Sequence, residues 1–129
     1  MRFNDYANEI HTLVSRHTPP GENRKLRRDP AKSGGKVYTQ LRDPLLLNMG
    51  GTLSFSIQIE ISSGNVEYTN YVYEYKKNGY FFRYDKTDRG YIKYSHEVCH
   101  LHANAEEPRY PTHSITLEEI LGFISGSFP

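Results

Sequence analysis

TLSFSIQIEI, residues 52–61, decides the fold. Leu53, Phe55, Ile57, Ile59 and Ile61 alternate with Thr52, Ser54, Ser56, Gln58 and Glu60. A period of two puts all five apolar side chains on one face of a β-strand, whereas a helix would scatter them around its circumference. Ser63-Gly64-Asn65 then turns the chain, and residues 66–76 read as a second strand. In that strand Tyr71, Tyr73 and Tyr75 share one side, with Val72 and Glu74 on the other. Asn78-Gly79 is a strong hairpin signal, because both residue types tolerate positive φ. Residues 80–85 return as a third strand, and 87–90 turn again. Short strands are expected at 91–94 and 97–104, and another at 37–41. Asp43-Pro44 and the stretch 48–51 are turn signals on either side of Leu45-Leu46-Leu47.

Helices bracket these strands. Tyr6, Ile10, Leu13 and Val14 recur on one helical face, which predicts an amphipathic helix over 3–17. Asn4 or Asp5 can cap it, and Pro19-Pro20-Gly21 ends it. A second helix is predicted over 117–125, with Leu117, Ile120, Leu121 and Ile124 as its buried stripe. Thr116 and Glu119 form a capping box, Ile115 and Ile120 can staple it, and Gly126 stops it. The expected class is α+β: one antiparallel sheet of four to six strands, with an N-terminal and a C-terminal helix packed on one face. The other face would then stand partly open, with its tyrosines and histidines on show.

The chain has 129 residues, one domain's worth, and is read as a single domain over 1–129. Its single cysteine, Cys99, rules out an internal disulfide and fits a reducing compartment. No apolar run approaches a membrane span, and no secretory leader is read at the N-terminus, so the expected location is the cytoplasm. The formal net charge of +1 argues neither for nor against nucleic acid. Its distribution says more. Arg24, Lys25, Arg27, Arg28, Lys32 and Lys36 crowd into residues 22–36, which contain Pro30 and Gly34-Gly35 and read as a basic, mobile loop. Such a loop is either a solvated linker or an arm that contacts RNA phosphates through Arg24, Lys25, Arg27 and Arg28. The chain holds eleven tyrosines and no tryptophan. Tyr73 and Tyr75 could stack single-stranded bases, or the stripe could be half-buried packing.

The most suggestive chemistry lies in SHEVCHLH, residues 95–102. In an extended segment His96, His100 and His102 fall on one face, with Cys99 and Leu101 on the other. Three readings are open. His100 and His102 could serve as acid and base, since imidazole titrates near neutral pH. They could instead hold a metal with a third ligand from His96, His113 or Glu97. Or the face is polar and carries no chemistry. Metal-free RNA cleavage also needs a cation at the phosphate, which Arg83 or Arg109 could supply. Arg83 shares a face with Asp85, as in a cross-strand ion pair or a held phosphate ligand. Arg109 sits with Tyr110 between two prolines that stiffen its presentation. No dinucleotide, phosphate-loop, structural-zinc or zinc-protease motif is present, so no cofactor and no resident metal are expected.

Five of these features together resemble the TumE-like toxins of toxin–antitoxin systems. They are the alternating strand with its Ser-Gly turn (57–64), the Tyr-x-Tyr strand (71–75), Phe82-Arg83-Tyr84-Asp85, the His-x-His segment (100–102), and the Pro-Thr-x-x-Ile-Thr-Leu-Glu-Glu-Ile approach to the last helix (111–120). The resemblance covers residues 53–124, and the basic stretch 24–36 looks like an insertion. It implies growth inhibition through RNA or translation, restrained by a cognate antitoxin, with a metal-independent ribonuclease as one activity. A non-catalytic RNA- or protein-binding module and a small metal-binding protein are the alternatives.

Overall fold

The computed structural model describes residues 1–87, 99–103, 110–111 and 115–127. Its elements are α1 (Phe3–His17), a 3-10 turn (Glu22–Lys25), β1 (Leu26–Ala31), β2 (Gly34–Thr39), β3 (Leu45–Leu46), β4 (Thr52–Ser62), β5 (Asn65–Lys77), β6 (Tyr80–Thr87), β7 (Cys99–Ala103), β8 (Tyr110–Pro111) and α2 (Leu117–Ser127). All strands pair antiparallel, in the order β1-β2-β4-β5-β6-β7-β8. The two-residue β3 shares with β2 one edge of β4. The fold is α+β with an antiparallel sheet between two terminal helices. Six of the described strands have five residues or more.

Turn chemistry sets the registers. Ser63 (φ 52°) and Gly64 (φ 78°) close β4 onto β5, and Asn78 (φ 51°) and Gly79 (φ 82°) close β5 onto β6. Two consecutive left-handed residues give a turn whose twist matches that of the strands it joins. One irregularity interrupts β4–β5: Gln58 pairs with Asn70 but Ile59 pairs with Tyr68, so Thr69 is an extra, bulged residue. The bulge brings Tyr68 back to the side of Ile59, where its ring meets that of Tyr6 edge-on at 6.2 Å.

Both helices lie on the same side of the sheet. Tyr6, Ala7, Ile10 and Val14 of α1 and Leu117, Ile120, Leu121 and Ile124 of α2 are buried against Leu53, Phe55, Ile57 and Ile59 of β4, Tyr71, Tyr73 and Tyr75 of β5, and Phe82 of β6. Asp5 accepts a hydrogen bond from the Arg2 backbone N–H at the start of α1 (3.0 Å). The capping box of α2 forms as expected: Thr116 Oγ1 accepts from the Glu119 N–H (3.2 Å), and Glu119 Oε1 accepts from the Thr116 N–H (3.1 Å). No described helix is long and apolar enough to cross a membrane.

The expected mobile loop at 22–36 is not a loop. It folds into the 3-10 turn, β1 and the start of β2, although Pro30 and the paired glycines read as breakers. Pro30 fits because β1 is the edge strand. The Ile61 N–H donates to the Ser33 carbonyl (2.7 Å), which directs odd positions of β2 toward β4 and even positions toward β1. Ala31, Asp29 and Arg27 therefore carry the β1 ladder, and Pro30 faces outward, where it costs no bond and leaves no donor on the open edge. Gly35 is needed for close approach: a Cβ there would stand 2.7 Å from Phe3 Cε1 and 2.8 Å from the Asp29 carbonyl. Strands β3 and β8 were not expected. The strand expected at 91–94 lies outside the described residues.

Candidate active site on the uncovered sheet face

No described element covers the face opposite the helices. Pairing and pleat assign Ser54, Ser56 and Gln58 of β4, Val72, Glu74 and Lys76 of β5, and Arg83 and Asp85 of β6 to it. Register extends two rows onto β7. One row runs Val72, Asp85, His100, and the next runs Glu74, Arg83, His102. Backbone pairing thus sets Arg83 opposite His102 and Asp85 opposite His100. His100 is followed in its row by Pro111 of β8.

Charge organises this patch. The Arg83 Nε donates to Asp85 Oδ2 at 3.2 Å, and its Nη1 lies 3.8 Å from Glu74 Oε2. Lys76 Nζ reaches the other oxygen of Glu74 at 3.1 Å. Asp85 is only 9% exposed. The guanidinium is thus held between two carboxylates, bonded to Asp85 and ion-paired with Glu74. Sequence reading had found Arg83 and Asp85 but missed Glu74 and Lys76. The signal was present: a two-residue turn at Asn78-Gly79 makes Lys77 and Tyr80 opposite, and counting back puts Glu74 across from Arg83.

The tyrosines expected on show are not there. Tyr73 and Tyr75 are fully buried, and Tyr71 is 1% exposed. They lie on the helix side, so no base can stack on them in this fold. Burial pushes the Tyr73 and Tyr75 phenols above their ordinary range, and nearby phenols add to the effect at Tyr73. The Tyr75 hydroxyl donates to the Gly50 carbonyl (3.3 Å) and the Tyr71 hydroxyl accepts from the Ile115 N–H (2.9 Å). The Tyr73 hydroxyl meets no hydrogen-bond partner among the described residues.

The basic segment does not form one surface. Arg24 is exposed on the 3-10 turn. Lys25 is bound to Glu22 (2.7 Å) and the Pro44 carbonyl (2.9 Å), and Asp43 lies 3.6 Å away. The Lys25 ammonium holds the Glu22 carboxyl below its usual range, helped by the Leu46 N–H, and Glu22 in turn raises Lys25. Arg27 belongs to the uncovered face and caps the Arg24 carbonyl (2.8 Å), while Arg28 belongs to the helix face and bonds Asn8 of α1 (2.7 Å). Alternation along β1 splits the two arginines between opposite sides, so the four cations cannot track one phosphate chain.

Arg109, and the alternative metal ligands His96, Glu97 and His113, lie outside the described residues. Among the described residues no three His, Cys, Asp or Glu side chains gather as a metal site. No family model, curated protein or solved structure matches the chain.

Proposed function

We propose that this chain is an RNA-directed toxin of a toxin–antitoxin module and that it cleaves RNA without a metal, at the β6–β7 pairing on the uncovered face. The observation that carries this reading is the register that pairs Asp85 with His100 and Arg83 with His102. Alternate residues on a strand stand about 6.5–7 Å apart, a span suited to two imidazoles flanking one phosphodiester. One histidine takes the 2′-hydroxyl proton as the 2′-oxygen attacks phosphorus. The other gives a proton to the departing 5′-oxygen as the P–O5′ bond breaks, leaving a 2′,3′-cyclic phosphate. Arg83, oriented by Asp85 and Glu74, binds the phosphate oxygens whose charge grows in that step. Arg109 is a second candidate cation. Burial of the tyrosine stripe favours this over a module that holds RNA by stacking on Tyr73 and Tyr75. The cognate antitoxin would act by covering this face.

The test is cleavage of a labelled single-stranded RNA by the full chain in excess EDTA, beside growth of cells expressing it. The wild type should produce cyclic-phosphate ends and arrest growth. His100→Ala/His102→Ala, folded by circular dichroism, should cut at least about 10²–10⁴-fold more slowly and relieve the arrest. Equal cleavage by the variant, or none by the wild type, overturns the proposal.

A further inference from the structure

Strand β6 sets unlike charges against the two histidines of β7. His100 stands directly opposite Asp85, and His102 directly opposite Arg83. Residues opposite each other in an antiparallel pair have Cβ atoms about 4.5–5.5 Å apart, and diagonal neighbours stand about 7–8 Å apart. The nearest charge to His100 on this ladder is therefore a carboxylate, and the nearest to His102 is a guanidinium. Each histidine has the other's partner on its diagonal. The two effects cancel only in part, because the opposite position is the closer one.

Asp85 is only 9% exposed, and its Oδ2 accepts from the Arg83 Nε at 3.2 Å. A carboxylate accepts at both oxygens, so a bond to a guanidinium and a bond to an imidazole are compatible. Arg83 keeps its charge throughout the range in which imidazole titrates. Among the described residues, the other charged groups on this face near the histidines are Glu74 and Lys76 of β5. They lie two strands from β7, about 9–10 Å away, and pair with each other at 3.1 Å. On the other side β8 sets Pro111, which does not titrate, opposite His100. Lys86 is opposite Cys99 and Tyr110 opposite Leu101, both on the helix side of the pleat.

We propose that Asp85 holds His100 as the imidazolium and so makes it the proton donor of the cleavage, while Arg83 keeps His102 neutral and makes it the base. The inference deepens the ribonuclease reading and rests on it for the reaction. His102 takes the 2′-hydroxyl proton as the 2′-oxygen bonds to phosphorus. The P–O5′ bond breaks with its electron pair on O5′, which takes a proton from His100 and leaves as a 5′-hydroxyl. One proton has entered His102 and one has left His100, and exchange with water restores both. Opposite environments make the competent pair of protonation states the majority near neutral pH, whereas two equal imidazoles hold it as a minority. Asp85 is a positioning residue here, since it acts through His100.

Histidine Cε1–Hε1 spectra of the full chain, assigned through bonds and followed across the imidazole range, test the pairing apart from catalysis. His100 should titrate about one pH unit or more above His102. Asp85→Asn should lower the His100 midpoint by about one pH unit or more and move His102 less. A uridine 3′-(para-nitrophenyl phosphate) separates acid from base, because para-nitrophenolate leaves without a proton. His100→Ala should cut this ester within about tenfold of the wild type while cutting RNA about 10²–10⁴-fold more slowly, and His102→Ala should be slow on both. His102 titrating level with or above His100, or an ester that rescues His102→Ala instead, overturns the assignment. The wild-type titration needs no substitution, so a misfolded Asp85→Asn leaves that refutation in place. A folded Asp85→Asn with the His100 midpoint unmoved also overturns it. No cleavage of either substrate by the wild type overturns the ribonuclease and the roles together, whereas cleavage with the wrong order of titration overturns the roles alone.

Discussion

The two faces of β5 are built from interleaved residues and have opposite characters. Tyr71, Tyr73 and Tyr75 are sealed under the helices, while Val72, Glu74 and Lys76 belong to the side that no described element covers. The difference shows that tyrosine richness here is a packing device. A tyrosine ring buries about 150–250 Å², or about 4–6 kcal/mol at 25 cal/mol per Å². An orphaned hydroxyl costs about 1–3 kcal/mol. Burial wins even for Tyr73, whose hydroxyl finds no partner among the described residues. The uncovered face is polar instead, and its charges bind one another: Arg83 pairs with Asp85 and Glu74, and Glu74 with Lys76.

Truncation breaks this comparison most sharply. Tyr73→Ala should destabilise the fold by about 3–5 kcal/mol, whereas Ser56→Ala on the opposite face should stay within about 0.5 kcal/mol; urea melts of the two variants read both values. A smaller effect at Tyr73 than at Ser56 would mean that the assignment of faces is inverted. Alkaline pH probes the same contrast. Desolvation holds the phenols of Tyr6, Tyr73 and Tyr75 above their ordinary value. A folded-state pKa above the unfolded one gives stability that is whole below about pH 10 and is lost as pH rises further, by up to about 1.4 kcal/mol per unit for each phenol. Tyrosinate absorbance should therefore rise together with unfolding, and a tyrosinate step well before the loss of circular dichroism from these positions would contradict their burial.

The finest contrast lies within the buried face. Tyr71→Phe removes the acceptor of the Ile115 N–H and should cost about 1–3 kcal/mol. Tyr73→Phe removes a hydroxyl without a partner among the described residues and should be neutral or slightly stabilising. The same chemical change two residues apart should thus differ in its effect, as thermal melts would show. Equal losses at both sites would reveal a partner for the Tyr73 hydroxyl.

Much of the fold was legible because its signals are local. Alternation across 52–61, Asn78-Gly79, and Thr116 with Glu119 each state a strand, a turn or a cap within a few residues. Helix α1 has the bounds that its apolar spacing predicts. The hairpin at 26–39 was hidden because breakers are read by intrinsic preference. Pro30 is acceptable only on an edge, and Gly35 is required only because Phe3 packs against it. The bulge at Thr69 was equally invisible, since it appears only in the pairing of two strands. The candidate site was half legible. Arg83, Asp85 and the two histidines were picked out by residue type, and Glu74 was recoverable from hairpin arithmetic.

By itself the sequence determined the central strands β4, β5 and β6, the turns that join them, the two terminal helices and which residues share a face along β4 and from Tyr71 to Tyr75, since each follows from short-range periodicity and backbone preference. Only the tertiary structure decided which face the helices cover. Both sides of β5 carry residues able to meet water, and alternation says that two faces differ without saying which is inside. That choice depends on the summed burial of α1, α2 and β4 together. It sends Tyr71, Tyr73 and Tyr75 inward and leaves Glu74, Lys76, Arg83 and Asp85 on the side that no described element covers.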